Sequence, residues 1–99
     1  MTQEVSLLVN GTPVNLNDFA QRFFDSTLGG MLAPLDDIGE IKTLDISIED
    51  ETIIIYLNGT QLPTNFFVSN IFRNALTGMV SSLKGVGEVK KIELSIKKE

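Results

Sequence analysis

Apolar and polar residues alternate in four separate stretches of the chain, which is the period expected of β-strands with one buried face. The four stretches begin near Val5, Ile41, Thr52 and Val89 and end at Val9, Ile48, Leu57 and Ile96. The alternation predicts that the inward-facing positions are Val5, Leu7, Val9, Leu44, Ile46, Ile48, Ile53, Ile55, Leu57, Ile92, Leu94 and Ile96.

Between these strands, apolar residues recur at helical spacing in two stretches, which predicts two helices. The first runs from Asn15 to Leu35, with Asn15 and Asp18 as a weak capping box, and the second runs from about Thr64 to Leu83. In the first stretch the apolar positions spread over about 220° of a helical wheel, which is wider than packing against one sheet requires.

The dipeptide Asn-Gly follows the first and third strands, at Asn10 and at Asn58. Asn-Gly between apolar stretches indicates a two-residue type I′ hairpin, because both central residues need a positive φ. Short return arms are therefore expected after each turn, beginning at Thr12 and at Thr60.

An internal duplication accounts for these paired features. Shifting the sequence by 48 positions without a gap gives 16 identities in 48 aligned pairs, including the Asn-Gly-Thr triplets and the pair Gly30 and Gly78. The 99 residues suffice for one ordinary core, so we expect a single domain, 1–99, built from two homologous halves at about 4–51 and 52–99.

The duplicated β-α-β order predicts an α+β fold of the ferredoxin-like sandwich type, an antiparallel sheet with two helices on one face. Leu8, Ile54 and Tyr56 are apolar residues on the outward faces of the first and third strands, which favours a central position for those strands. The Asn-Gly return arms fit this order less well, because they compete with a neighbouring strand for the same backbone groups.

Composition excludes several classes of function. The chain contains no cysteine and no histidine, and no convergent set of other reactive residues is visible, so we predict no catalytic residues, no cofactor site, no metal site and no enzymatic activity. A net charge of −5 without a basic patch argues against a nucleic-acid partner, and the second helix is too polar to span a membrane.

The acidic groups at Asp36, Asp37 and Glu40 and at 49–51 are interpreted as solvated turns. The beginning of the sequence does not resemble a signal peptide, so we expect a cytoplasmic protein.

The second predicted helix has an unusual surface, because its only charged residue is Arg73 and its other non-apolar residues are small or uncharged. Desolvating such a surface costs little free energy, which favours self-association through the helical layer. The open face of the sheet is a second candidate surface. Gly30 and Gly78 indicate a close backbone approach, either between the two helices of one chain or with another chain or a ligand. The candidate interface residues are Leu8, Ile54, Tyr56, Phe66, Ser69, Asn70, Arg73, Asn74, Thr77, Gly78 and Ser81.

These observations predict a non-enzymatic homo-oligomeric module, a homodimer or a higher assembly. The element order and the glycine after the first strand are also loosely similar to those of ACT-like ligand-binding domains. This resemblance implies an alternative, a small-molecule-binding regulatory domain whose site lies at a subunit interface near the Asn-Gly turns.

Overall fold

The computed structural model describes residues 3–35 and 39–98, and the part of the predicted acidic turn at Asp36 and Asp37 lies outside them. Within these residues the elements in chain order are β1 (Gln3–Val9), β2 (Thr12–Val14), α1 (Asp18–Leu32), β3 (Thr43–Glu49), β4 (Thr52–Leu57), β5 (Thr60–Gln61), α2 (Phe66–Ser81) and β6 (Lys91–Lys98). The predicted α+β class is confirmed.

All six strands form one antiparallel sheet in the order β2-β1-β6-β3-β4-β5. This order is symmetric. Exchanging β1 with β4, β2 with β5 and β3 with β6 gives the same order read from the opposite edge. β3 and β6 lie at the centre and pair with each other, Ile46 opposite Leu94.

The prediction that the first and third strands are central is wrong. The arms β2 and β5 pair with the outer edges of β1 and β4, at Leu7–Val9 and at Tyr56–Leu57. Because each strand has only two edges, β1 and β4 can accept one further neighbour, and the strands without arms become central. The sheet therefore lacks the strand order of the ferredoxin-like sandwich, and its apolar outward residues Leu8, Ile54 and Tyr56 lie on flanking strands.

The core lies between one face of the sheet and the two helices. Its helical residues are Phe24, Leu28, Leu32, Phe72, Leu76 and Val80, and all of them are buried in one cluster with the inward residues of the four long strands. Ile53 is less buried than predicted and packs at the margin of this cluster. Each helix starts one residue after an asparagine cap, and the Oδ1 atoms of Asn17 and Asn65 accept from Ala20 N and Val68 N at 2.7 and 2.8 Å. Asn17 therefore replaces the predicted Asn15 as the cap of α1.

The two Asn-Gly turns have the predicted backbone conformation, with φ of 53° and 82° at Asn10 and Gly11 and 52° and 84° at Asn58 and Gly59. Their side chains also bind the segments that precede the central strands. Asn58 Oδ1 accepts from the backbone N–H groups of Lys42 and Thr43 at 2.7 and 3.0 Å, and Asn58 Nδ2 donates to Glu40 O at 2.8 Å.

Asn10 makes the equivalent bonds in the other half of the fold. Its Oδ1 accepts from the N–H groups of Lys90 and Lys91 at 2.7 and 2.8 Å, and its Nδ2 donates to Glu88 O at 2.7 Å. Because these bonds hold the preceding residues as loops, β3 and β6 begin two residues later than the alternation predicts.

Replacing Asn58 by aspartate tests this clamp. Asn58→Asp keeps both acceptor bonds but places a carboxylate oxygen against Glu40 O, so we expect the free energy of unfolding to fall by about 1–3 kcal/mol. Urea denaturation measures it, with Asn15→Asp as the control, because it makes the same charge change at an exposed residue outside the turns. An equal loss in both variants would contradict a specific role for the clamp.

Candidate interaction surfaces

The predicted interface residues divide between two surfaces on opposite sides of the molecule. Leu8, Ile54 and Tyr56 lie on the open face of the sheet, and the other eight lie on α2. The structure does not bring the two groups together, because the sheet and its core separate them.

The open face of the sheet is a shallow depression of about 340 Å³. Its apolar residues stand at the flanks, and its centre is polar, with Ser47, Ser95, Asp45 and Glu93 on β3 and β6. Lys91 Nζ lies 3.0 Å from Glu93 Oε1, and this hydrogen bond raises the pKa of Lys91. Among the described residues, this face carries four carboxylates, on Glu4, Asp45, Glu49 and Glu93, and two ammonium groups, on Lys91 and Lys97.

The outer surface of the helical layer is much more apolar. Four of the six phenylalanines in the chain are exposed there, with exposed fractions of 67% for Phe19, 51% for Phe23, 87% for Phe66 and 70% for Phe67. Ile71 adds a further 42% exposed side chain. Only Phe66 was among the predicted interface residues. The signal for Phe19 and Phe23 was the wide apolar arc of α1, which exceeds what the sheet covers, and Phe67 and Ile71 occupy the equivalent positions of α2.

A groove of about 770 Å³ runs between the N-terminal half of α1 and the C-terminal half of α2. Phe19 and Phe23 line one wall, and Ala75, Gly78 and Met79 line the other. The ring centroids of Phe19 and Phe23 are 6.0 Å apart, so the two rings form one apolar ridge along the groove.

The polar residues of α2 are partly engaged within the helix. Asn70 Nδ2 donates to Phe66 O at 2.9 Å, and Arg73 Nη2 donates to Asn70 Oδ1 at 2.6 Å. Ser69 Oγ donates to Thr64 Oγ1 at 2.7 Å. Ser81 is exposed at the end of the helix.

Gly30 and Gly78 do not mark a close approach between the two helices of the chain. Both glycines are exposed, and a Cβ atom added to either would have no atom of the described chain within 4 Å, apart from its chain neighbours and the adjacent backbone of its own helix. The prediction of a backbone contact within the chain is therefore wrong, while a contact with another chain or with a ligand remains a prediction.

Among residues 3–35 and 39–98, no helix is long and apolar enough to cross a membrane, and no three potential metal ligands are grouped together. Comparison with protein-family models, with curated proteins and with solved structures found no significant match.

The open space at Gly78 generates a stability prediction. Gly78→Ala should raise the free energy of unfolding of the dilute protein by about 0.5–1 kcal/mol, because alanine restricts the unfolded chain and clashes with nothing in the folded one. Gly59→Ala provides the contrast, since φ is 84° there and alanine should be destabilising. Urea denaturation of both variants measures the difference. A loss of stability in Gly78→Ala would show that the glycine is required by a contact within the chain.

Proposed function

We propose that this protein is a non-enzymatic module that self-associates through the outer surface of its helical layer. The observation that carries the proposal is the exposure of Phe19, Phe23, Phe66 and Phe67 on that surface. Large apolar side chains grouped on a surface are typical of interfaces.

The exposed apolar area matches the requirement of an ordinary dimer. With roughly 200 Å² for a whole phenylalanine side chain, the four exposed fractions amount to about 550 Å². A standard interface buries about 800 Å² on each partner, and about two thirds of a homodimer interface is apolar. The exposed phenylalanines of one chain thus supply about as much apolar area as one partner contributes to a standard homodimer interface.

Charge also favours the helical layer over the sheet for contact between identical copies. The two helices carry two carboxylates, Asp18 and Asp25, and two guanidinium groups, Arg22 and Arg73. Two such surfaces meet without net repulsion, although the whole chain has a charge of −5. The described residues of the open sheet face have a net charge of −2, from four carboxylates and two ammonium groups, so two copies of that face would repel each other.

The positions of the apolar residues suit a symmetric contact. Phe19 and Phe23 of α1 are equivalent to Phe67 and Ile71 of α2 under the shift of 48 residues, which we attribute to an internal duplication. The groove lies at one end of the helical layer, and Phe66 lies at the other end of α2. A two-fold axis perpendicular to the helices, between facing layers, would bring the Phe66 end of one copy opposite the groove end of the other.

The alternative site near the Asn-Gly turns has less support. The side-chain amides of Asn10 and Asn58 are already used by hydrogen bonds to Glu88, Lys90 and Lys91 and to their equivalents in the first half. A ligand at the turns would have to compete with the bonds that hold the central strands.

The test compares two double variants, one on each candidate surface. Phe19→Ser with Phe66→Ser should raise the dissociation constant of the oligomer roughly 100-fold, because buried aromatic anchors dominate interface energetics. Ile54→Ser with Tyr56→Ser on the sheet is the matched control and should leave the constant within about threefold. Sedimentation velocity over a concentration series measures both.

Two outcomes would contradict the proposal of self-association through the helical layer. One is a wild-type protein that is monomeric at every concentration. The other is an oligomer that dissociates in the sheet variant and persists in the helix variant, which would assign the interface to the open sheet face.

A further inference from the structure

A cleft of about 400 Å³, with polar walls and an apolar floor, separates α2 from one end of the sheet. Arg73, Asn74 and Thr77 line it from the helix, Asp50 from the β3–β4 turn, and Lys90 from the segment before β6. Its volume is within the range of small-molecule sites. Three of the residues that made the surface of α2 unusual in the sequence thus converge on one concave site.

The equivalent place beside α1 is occupied by an ion pair. Under the shift of 48 residues, Asp25 takes the position of Arg73 and Lys98 takes the position of Asp50, so the charges are reversed. Lys98 Nζ lies 3.0 Å from Asp25 Oδ1. Among the residues that the structure describes, Arg73 and Asp50 form no such pair within 4.0 Å.

The guanidinium of Arg73 is half-buried, and its side-chain hydrogen-bond partner among the described residues is an amide rather than a carboxylate. Its Nη2 atom donates to Asn70 Oδ1 at 2.6 Å, and an amide oxygen carries no formal charge to balance it. An arginine fixed in this way retains further N–H donors for a planar oxyanion.

The floor and the net charge of the cleft select the kind of anion. Ile48, Val89 and Ile92 form the floor, which suits an organic tail better than a hydrated inorganic ion. Arg73 and Lys90 against Asp50 leave one positive charge, which matches a monoanion, and the carboxylate of Asp50 opposes a dianion.

We propose that this cleft binds a small organic monocarboxylate. The carboxylate group pairs with Arg73 and Lys90, Asn74 and Thr77 offer further hydrogen-bond donors, and the alkyl tail lies on the apolar floor. The site lies within one chain, so the proposal goes beyond self-association and does not depend on it.

The experiment is an NMR titration of the ¹⁵N-labelled protein with sodium butyrate at constant pH and ionic strength. We expect saturable shifts at Arg73, Asn74, Thr77 and Lys90, at concentrations up to about 100 mM, well above the millimolar range of weak ligands. Sodium phosphate and methylammonium chloride, titrated in parallel, should give weaker or no saturable shifts at these residues.

Arg73→Gln should weaken butyrate binding at least tenfold, because it removes a charge-assisted pair. Arg22→Gln, at the only other arginine of the chain, is the matched control and should bind as the wild type does. If Arg73→Gln loses the dispersed spectrum of the folded protein, Lys90→Gln takes its place, and we expect it too to weaken binding.

Three results would overturn the proposal: no saturable shift with butyrate, equal weakening in the Arg22 and Arg73 variants, or tighter binding of phosphate than of butyrate. Each of them leaves the sedimentation test of self-association unaffected, so the two proposals fail separately.

Discussion

The amides of Asn10 and Asn58 couple the edges of the sheet to its centre. Each asparagine stands in a left-handed conformation that starts a return arm, and each uses its side chain to hold the residues before a central strand. The arm fills the outer edge of its own flanking strand, so the inner edge is left for β6 or β3. One residue type in one turn thereby determines both which strands are central and where they begin.

This arrangement leaves two large faces of different chemistry. Both helices cover one side of the sheet and bury Phe24 and Phe72, while the opposite side keeps its serines and carboxylates in contact with solvent. A two-layer molecule has no third layer to cover the outside of its helices. The phenylalanines there therefore stay exposed in the single chain, and the helical layer differs from the sheet in both apolar area and net charge.

The elements of the fold were largely predictable, because they follow from local patterns: period-two alternation, helical spacing and the Asn-Gly turns. The strand order was not, because apolar outward residues such as Leu8 and Tyr56 were interpreted as signs of a central strand. The short return arms after the Asn-Gly turns indicate the correct order. A strand whose outer edge is paired with its own arm has only one edge left for a long strand, so it cannot be central. The cleft at Arg73 was equally hidden, because Asp50 and Lys90 reach it only through tertiary contacts that no local spacing encodes.

The two halves of the sequence share their core and turn residues but differ on their helix surfaces, and these differences coincide with the proposed sites. The buried pairs Phe24 and Phe72 and Leu28 and Leu76 are identical, as are the turn asparagines, because both halves share one core and one clamp geometry. The helix surfaces are not bound by that constraint. On these surfaces Asp18 of α1 corresponds to Phe66 of α2, and the exchange adds apolar area. Asp25 corresponds to Arg73. Asp25 forms an ion pair, whereas Arg73 has no carboxylate partner within 4.0 Å in the described chain. Neither exchange serves the packing of the core, so both are explained better by contacts outside the chain than by its stability.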